Sequence, residues 1–232
     1  MSENHPELNK TDKPTIFVGI TRWVIAGILV MGPLLQAIEF LLGNEMDDNA
    51  ARVAFWSAFP DRSGLSMASG LLAIPFLLGG IAVLVALTHT HSRRIAWLAG
   101  TFMTFAMVGL AAAHGYEMAA FGRTLTGDRA GATSILNAEN LGLPGAVFII
   151  MFLGGAVLGT LTLAAAMWRS PYIPRMVILF TLAFAVLDFG AGQGMISHLV
   201  NLVGFSILAV AVLRGYSRSS RTAITRATLS RS

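Results

Sequence analysis

Six apolar stretches, each about as long as a helix needs to be to cross a lipid bilayer, constrain this chain more than any other feature. Their approximate bounds are 18–43, 65–88, 95–121, 143–168, 173–189 and 193–213. Only 12% of the residues are charged, whereas roughly a quarter are charged in soluble domains. The sequence therefore predicts an all-α integral membrane protein, built as a bundle of six transmembrane helices.

The Lys and Arg residues indicate how these six helices are oriented. Of the 16 basic residues, Arg52, Arg62, Arg123 and Arg129 fall in the loops after the first and third spans. The others lie near the chain ends and in the turns on the opposite side of the membrane. Because cytoplasmic loops are rich in Lys and Arg, we expect both termini in the cytoplasm and a multi-pass protein of the cytoplasmic membrane.

The two loops that carry few basic residues are the longest, and each has room for a short helix. Loop 44–64 contains an apolar and aromatic run at 49–59, which predicts a short helix at the membrane surface. Loop 122–142 is polar and can hold one more short helix.

Within the fourth span, Gly155 and Gly159 form a GxxxG pattern, which predicts close packing against another helix of the bundle.

The ends of the chain differ in composition from the transmembrane domain at 18–215. Residues 1–17 form a polar tail without the basic-then-apolar order of a signal peptide, so the first span is expected to stay in the mature protein. Residues 216–232 form a basic tail that we expect to be disordered and to touch anionic lipid. The basic residues sit at helix ends and in this tail, so membrane lipid is the expected partner and nucleic acid is not. The sequence leaves the oligomeric state open.

The chain has no cysteine, which excludes disulfides, thiolate metal ligands and a cysteine nucleophile. It also lacks the HExxH, Walker-loop and GxSxG motifs, so the familiar soluble chemistries find no support. Any metal site must therefore use histidine, methionine and carboxylate ligands.

Ionisable residues inside the apolar spans mark the candidate site. His114 and Glu117 lie three apart near the outer end of the third span and share one helix face. Counting along the spans places Glu39, Asp188 and His198 in the same outer leaflet, on three other helices. Since charged groups are costly in a membrane, we expect these five side chains to form one cluster inside the bundle. Its expected second shell consists of Gln36, Tyr116, Gln193 and Asn201.

Two short motifs carry a resemblance to a known kind of protein. Gly-Pro-Leu-Leu at 32–35 and Met-Trp-Arg-Ser at 167–170, within the pattern of six short-looped spans, resemble uncharacterised six-helix membrane proteins of high-GC bacteria. The likeness covers most of the chain. It implies a six-helix fold, but it implies no activity and assigns no functional residue.

The polar cluster is compatible with a carrier or with an enzyme. In a small-solute or cation carrier, Glu39, His114, Glu117 and Asp188 would bind the solute or exchange protons, and an aqueous funnel would open outward. An intramembrane enzyme acting on a lipid-like substrate would instead place an apolar cavity beside the cluster. Its metal-dependent form would bind zinc through His114, Glu117 and His198, with one open coordination position.

Two further alternatives use the same residues. His114 and His198 are the intramembrane histidines, and they would be the axial ligands of a b-type haem. Alternatively, the cluster has a purely structural role, in which its side chains hydrogen-bond to one another and lock the bundle. The sequence leaves all four alternatives open.

Overall fold

The protein is all-helical over the residues that the computed structural model describes, which are 20–43, 46, 48–137, 142–190 and 194–214. Its helices are α1 (Ile20–Gly43), α2 (Asn49–Ala58), α3 (Pro60–Leu125), α4 (Arg129–Leu136), α5 (Gly142–Arg169), α6 (Arg175–Gly190) and α7 (Met195–Leu213). Both predicted tails, 1–17 and 216–232, lie outside the described residues.

Helix α3 contains the second and third predicted spans, and it folds back on itself. Its 66 residues would extend about 99 Å if straight, more than three times the thickness of the hydrocarbon core. Ser92 interrupts it, with non-helical dihedrals of φ −152° and ψ 53°. A Cβ placed on Gly100 would lie 3.1 Å from Val85, and one on Gly64 would lie 3.7 Å from Phe121. The N-terminal half (60–91) and the C-terminal half (93–125) therefore form an antiparallel hairpin.

The long helical segments form a closed ring, with the halves of α3 counted separately. Helix α1 packs on the N-terminal half of α3, and the C-terminal half of α3 packs on α5. Helix α5 then contacts α6, and α6 contacts α7. Helix α7 packs on α1, which closes the ring. Consecutive segments are neighbours in the ring, as is typical of up-and-down bundles, and the two longer connections contain α2 and α4. The ring encloses a central space to which each of the six segments contributes side chains.

Small residues let the backbones of these helices approach closely. A Cβ on Gly155 would lie 2.6 Å from the backbone nitrogen of Ala106, and one on Gly159 would lie 2.6 Å from the sulfur of Met103. The predicted packing of the GxxxG pattern within the bundle is confirmed. Substituting either glycine would force α5 away from the C-terminal half of α3.

The two short helices cover one end of the ring. Asp48 caps α2 and Asp128 caps α4, each by accepting a backbone N–H bond three residues ahead. The Asn49 side chain donates to the carbonyl of Leu136 at 3.2 Å, which joins α2 to α4. Trp56 packs edge-on against Phe121 of α3. The expected short helix in each long loop is thus present, and the two helices pack on each other and on α3 to form a cap at one end of the hairpin.

Within the described residues, four helices are long and apolar enough to cross a membrane, namely α1, α3, α5 and α7. Helix α3 holds two predicted spans, one on each side of the break at Ser92. Helix α6, the predicted fifth span, has 16 residues, fewer than the roughly 20 of a typical span. The all-helical, membrane-compatible fold is confirmed, whereas the count of six spans and the side of the termini stay predictions.

Candidate functional site

A central cavity of about 620 Å³ runs down the inside of the ring. This volume lies within the range of sites that bind small molecules. The charged residues lie around its capped end, whereas the deeper part is mostly apolar. The deeper part is lined by Leu77, Ile81, Leu84, Met103 and Leu163, together with Thr160 and Thr181. Gly70 lies at the polar end, beside Glu39 and His114, and Leu84 lies at the deep end. At 1.5 Å per residue, the helix between them spans about 21 Å, or some two thirds of the hydrocarbon thickness. The cavity is therefore deep, polar at one end and apolar at the other.

Three ionisable side chains meet at the polar end of this cavity. Glu39 of α1 and His114 and Glu117 of α3 each place a ligand-type atom within 4.8 Å of the other two. His114 Nε2 lies 3.0 Å from Oε1 of Glu39, which is ion-pair distance without the alignment of a hydrogen bond. Ligands at about 2.0 Å from a tetrahedral ion lie roughly 3.3 Å apart, so the Glu39–His114 separation is close to that of a metal site, and atoms separated by as much as 4.8 Å would move closer together to bind one ion.

The orientation of the His114 ring is fixed by its own helix. Nδ1 lies 3.2 Å from the carbonyl oxygen of Leu110, and because a carbonyl only accepts, Nδ1 carries the proton and donates it. Nε2 is consequently the atom directed at Glu39 and the cavity. An outer hydrogen bond from one ring nitrogen to a carbonyl is the usual arrangement of a metal-binding histidine.

A glycine on the N-terminal half of α3 makes room for this contact. A Cβ on Gly70 would lie 2.3 Å from both Glu39 Oε1 and His114 Nε2. The neighbouring Ser66 donates to the backbone carbonyl of Glu39 at 2.8 Å, which fixes α1 against α3 at this level. Glu39 and His114 can therefore meet because the residue between them has no side chain.

The cap contributes one charge to the site. Arg52 of α2 donates to Glu117 Oε1 at 3.3 Å and to the carbonyl of Met46 at 3.2 Å. Both side chains of the Arg52–Glu117 pair are 33% exposed, so the ion pair contributes at most about 1 kcal/mol. Its main consequence is positional, because it places a cation and the cap helix directly over the site.

Asp188 and His198 form a second polar pair on the wall of the same cavity. His198 Nε2 lies 3.6 Å from Asp188 Oδ1, and Ser197 donates to that oxygen at 2.7 Å. The ring of Phe40 stacks on His198 with a centroid separation of 4.0 Å. His198 is 4% exposed, yet neither ring nitrogen has a hydrogen-bond partner among the described residues.

The five residues predicted from the sequence thus line one cavity, but as two groups. Glu39, His114 and Glu117 form the first group, and Asp188 and His198 form the second. The zinc set predicted from sequence combined His114 and Glu117 with His198, whereas the structure gathers Glu39 in place of His198. Helix α1 packs directly on the hairpin of α3, which brings Glu39 there, while α6 holds His198 against Asp188.

The expected second shell is divided between the cavity and its surroundings. Gln36 and Asn201 line the central cavity, whereas Tyr116 lines a smaller cavity between α3 and α5. Gln193 lies outside the described residues. Sequence reasoning assigned no site role to Arg52, Gly70, Ser197 or Phe40. A basic residue in a loop with few others was the one signal that pointed to Arg52.

The arrangement gives the haem hypothesis no support. Two axial ligands must face one iron, whereas the structure places His114 beside Glu39 and His198 beside Asp188, in two separate groups.

A comparison with protein-family models, curated proteins and solved structures finds no match to this chain.

Proposed function

We propose that the protein is a metal-dependent intramembrane enzyme that hydrolyses a lipid-like substrate. The observation that carries this proposal is the grouping of Glu39, His114 and Glu117 within 4.8 Å at the polar end of a deep apolar cavity. Imidazole and carboxylate are both ligands that zinc accepts, and three protein ligands leave a position open for water.

The shape of the cavity favours an enzyme over a carrier. Its deeper part is lined mostly by aliphatic, Met and Phe side chains, together with the hydroxyls of Thr160 and Thr181. The described ionisable residues that line the cavity all lie at the capped end or beside Asp188 and His198. A carrier of ions or polar solutes needs a polar route through the inner half of the membrane, and the deep lining residues supply two hydroxyls but no ionisable group. An apolar space beside a polar centre is instead what a lipid-like substrate requires.

The reaction would be hydrolysis of an ester or amide at the polar end. A zinc ion held by Glu39, His114 and Glu117 would activate a water molecule and polarise a carbonyl oxygen. The water oxygen would bond to the carbonyl carbon, and the bond from that carbon to the leaving group would break. The water's proton would pass through the Glu117 carboxylate to the leaving group, and Arg52, which donates to Oε1, would hold that carboxylate in place.

The test is ester hydrolysis by the purified full chain in lipid nanodiscs. A long-chain fatty-acid ester is supplied with zinc, or after chelation, and released fatty acid is measured. We expect zinc-dependent hydrolysis that falls at least a hundredfold in Glu117→Gln and His114→Ala. The matched control is His91→Ala, a histidine at the far end of the α3 hairpin beside Tyr172. Hydrolysis that persists equally in all variants, or no hydrolysis with zinc bound, would contradict the proposal.

A further inference from the structure

The unpartnered nitrogens of His198 indicate that a ligand headgroup binds on the cavity wall. A buried imidazole with no hydrogen-bond partner is costly, because each unsatisfied polar group loses its interaction with water. Phe40 and Phe184 flank its ring, so the nearby surface is aromatic, and the neighbouring Asp188 oxygen is already engaged by Ser197. A ligand oxygen that faces His198 would satisfy a ring nitrogen that has no hydrogen-bond partner among the described residues.

The deeper part of the cavity indicates what is attached to that headgroup. Below the two polar groups, the walls are mostly aliphatic, aromatic or methionine side chains, with the hydroxyls of Thr160 and Thr181 among them, down to Leu84 and Leu163. These two residues are 1% and 2% exposed and belong to the packed core, so the cavity ends there. A single chain about 20 Å long fits this depth, whereas a diacyl lipid would have to place a second chain in the packed core.

We infer that the cavity binds a single-chain lipid with an oxygen-bearing headgroup, such as a long-chain fatty acid or its ester, with the headgroup facing His198 and the chain reaching Leu84. This inference rests on the proposed function for the reaction at the headgroup, but binding of the chain itself does not require metal. Lipid tails are as apolar as leucine, so burial of the chain gains little over the bilayer. The headgroup contacts therefore provide the affinity, and the closed end of the cavity sets the longest chain accepted.

The experiment uses two photoreactive 16-carbon fatty acids with the full chain in phosphatidylcholine nanodiscs. One carries its diazirine beside the carboxyl group and the other carries it beside the methyl end, and mass spectrometry locates the labelled residues. We expect the first probe to label Phe40 and Phe184 and the second to label Leu84, Met103 and Leu163. Labelling of only lipid-facing residues, such as Trp97 and Leu158, would overturn the inference.

Competition with unlabelled compounds tests whether binding requires the headgroup, and a matched pair of variants tests whether it requires the open cavity. Unlabelled palmitate should reduce labelling at least tenfold, whereas hexadecane, which has no headgroup, should leave it unchanged. Ala156→Phe fills the cavity and should abolish labelling by the methyl-end probe, while Val157→Phe, which faces outward from the same helix, should not. Equal competition by hexadecane, or equal labelling of the two variants, would contradict the inference. If Ala156→Phe does not fold, the positions labelled in the wild-type chain decide.

The same labelling separates this inference from the proposed function. It is repeated with zinc, after chelation, and with His114→Ala. Labelling of the deep residues under all three conditions supports the lipid site, even if no metal binds and the hydrolase proposal fails. Zinc-dependent hydrolysis without labelling of the deep residues would instead overturn the lipid site alone.

Discussion

Oε1 of Glu39 lies 3.0 Å from Nε2 of His114, and this contact joins α1 to the hairpin of α3 at the polar end of a mostly apolar cavity. Two explanations of this contact make different predictions. If the pair only locks the bundle, adding a divalent metal changes nothing. If the pair is part of a metal site with Glu117, adding a divalent metal stabilises the packing of α1 on the α3 hairpin, and disturbing that packing weakens metal binding.

Gly70 provides a test that leaves every ligand in place. In Gly70→Ala, the new Cβ would lie 2.3 Å from the atoms of Glu39 and His114 that meet there, so the two side chains must separate. We expect zinc affinity to fall about tenfold or more, together with about 1–3 kcal/mol of stability from overpacking. Isothermal titration and thermal unfolding measure the two effects.

Gly115→Ala is the matched control for this substitution. Gly115 follows His114 on the same helix, and a Cβ there meets nothing within 4 Å. We expect unchanged zinc affinity, with stability unchanged or slightly raised because alanine is the better helix former. Equal zinc affinities for the two glycine variants would show that the Glu39–His114 contact does not form the site.

Arg52 is expected to weaken metal binding while it holds the cap. Its guanidinium binds Glu117 Oε1 at 3.3 Å and would repel a divalent cation. Since the pair is partly exposed, we expect Arg52→Gln to raise zinc affinity about two- to fivefold. Amide hydrogen exchange in α2 should rise at the same time. Arg62→Gln serves as the control, because Arg62 donates to the carbonyls of Leu41 and Leu42 away from the ligands. A lower zinc affinity in Arg52→Gln would contradict this role.

The cap should respond to acid through Asp128. The backbone N–H of Gly131, and then the Arg123 guanidinium, lower the pKa of this carboxyl group. A lowered pKa means that its stabilisation of α4 is fully present above the usual carboxyl range near pH 4 and is lost as the pH falls through the folded-state pKa. We expect constant amide exchange rates for 129–136 between about pH 5 and 8, after correction for intrinsic exchange. Faster exchange is expected only in stronger acid, and Asp128→Ala should show it at every pH. A pH-dependent loss of protection near neutrality would show that other groups hold α4.

The orientation in the membrane can be tested cleanly because the chain has no cysteine. Thr90→Cys lies beside the Ser92 break and Thr126→Cys lies at the opposite end of the hairpin. If the hairpin crosses the membrane as the Lys and Arg distribution predicts, an impermeant maleimide added outside intact cells should label Thr126→Cys alone. Labelling of both positions would show that the hairpin does not span the bilayer, and labelling of Thr90→Cys alone would reverse the orientation.

Much of the fold follows from the sequence because a membrane imposes a simple requirement on it. Long apolar stretches must form helices with satisfied backbones, so their hydropathy predicts where the helices lie. Counting residues along those helices placed Glu39 and His114 at a common depth, and the structure brings them together. The boundary between the second and third spans was also predicted, although Ser92 turns the chain within one nearly continuous run of helix.

The pairing of side chains did not follow from depth alone. Depth does not say which helices are neighbours, so the sequence did not distinguish Glu39 from His198 as the third residue beside His114 and Glu117. The ring order decides this, because α1 packs on the α3 hairpin and α7 packs on α6. The role of Gly70 was equally hidden, since a glycine in an apolar helix has no distinctive sequence signal until its neighbours are known.

The most direct test of the central claim is the metal content of the purified full chain. The wild-type protein and His114→Ala are each incubated with zinc, freed of excess metal and measured by elemental analysis. A stoichiometric amount of zinc in the wild-type protein that is lost in a folded His114→Ala would support a site formed by Glu39, His114 and Glu117. No bound zinc in the wild-type protein, or equal zinc in both proteins, would contradict it.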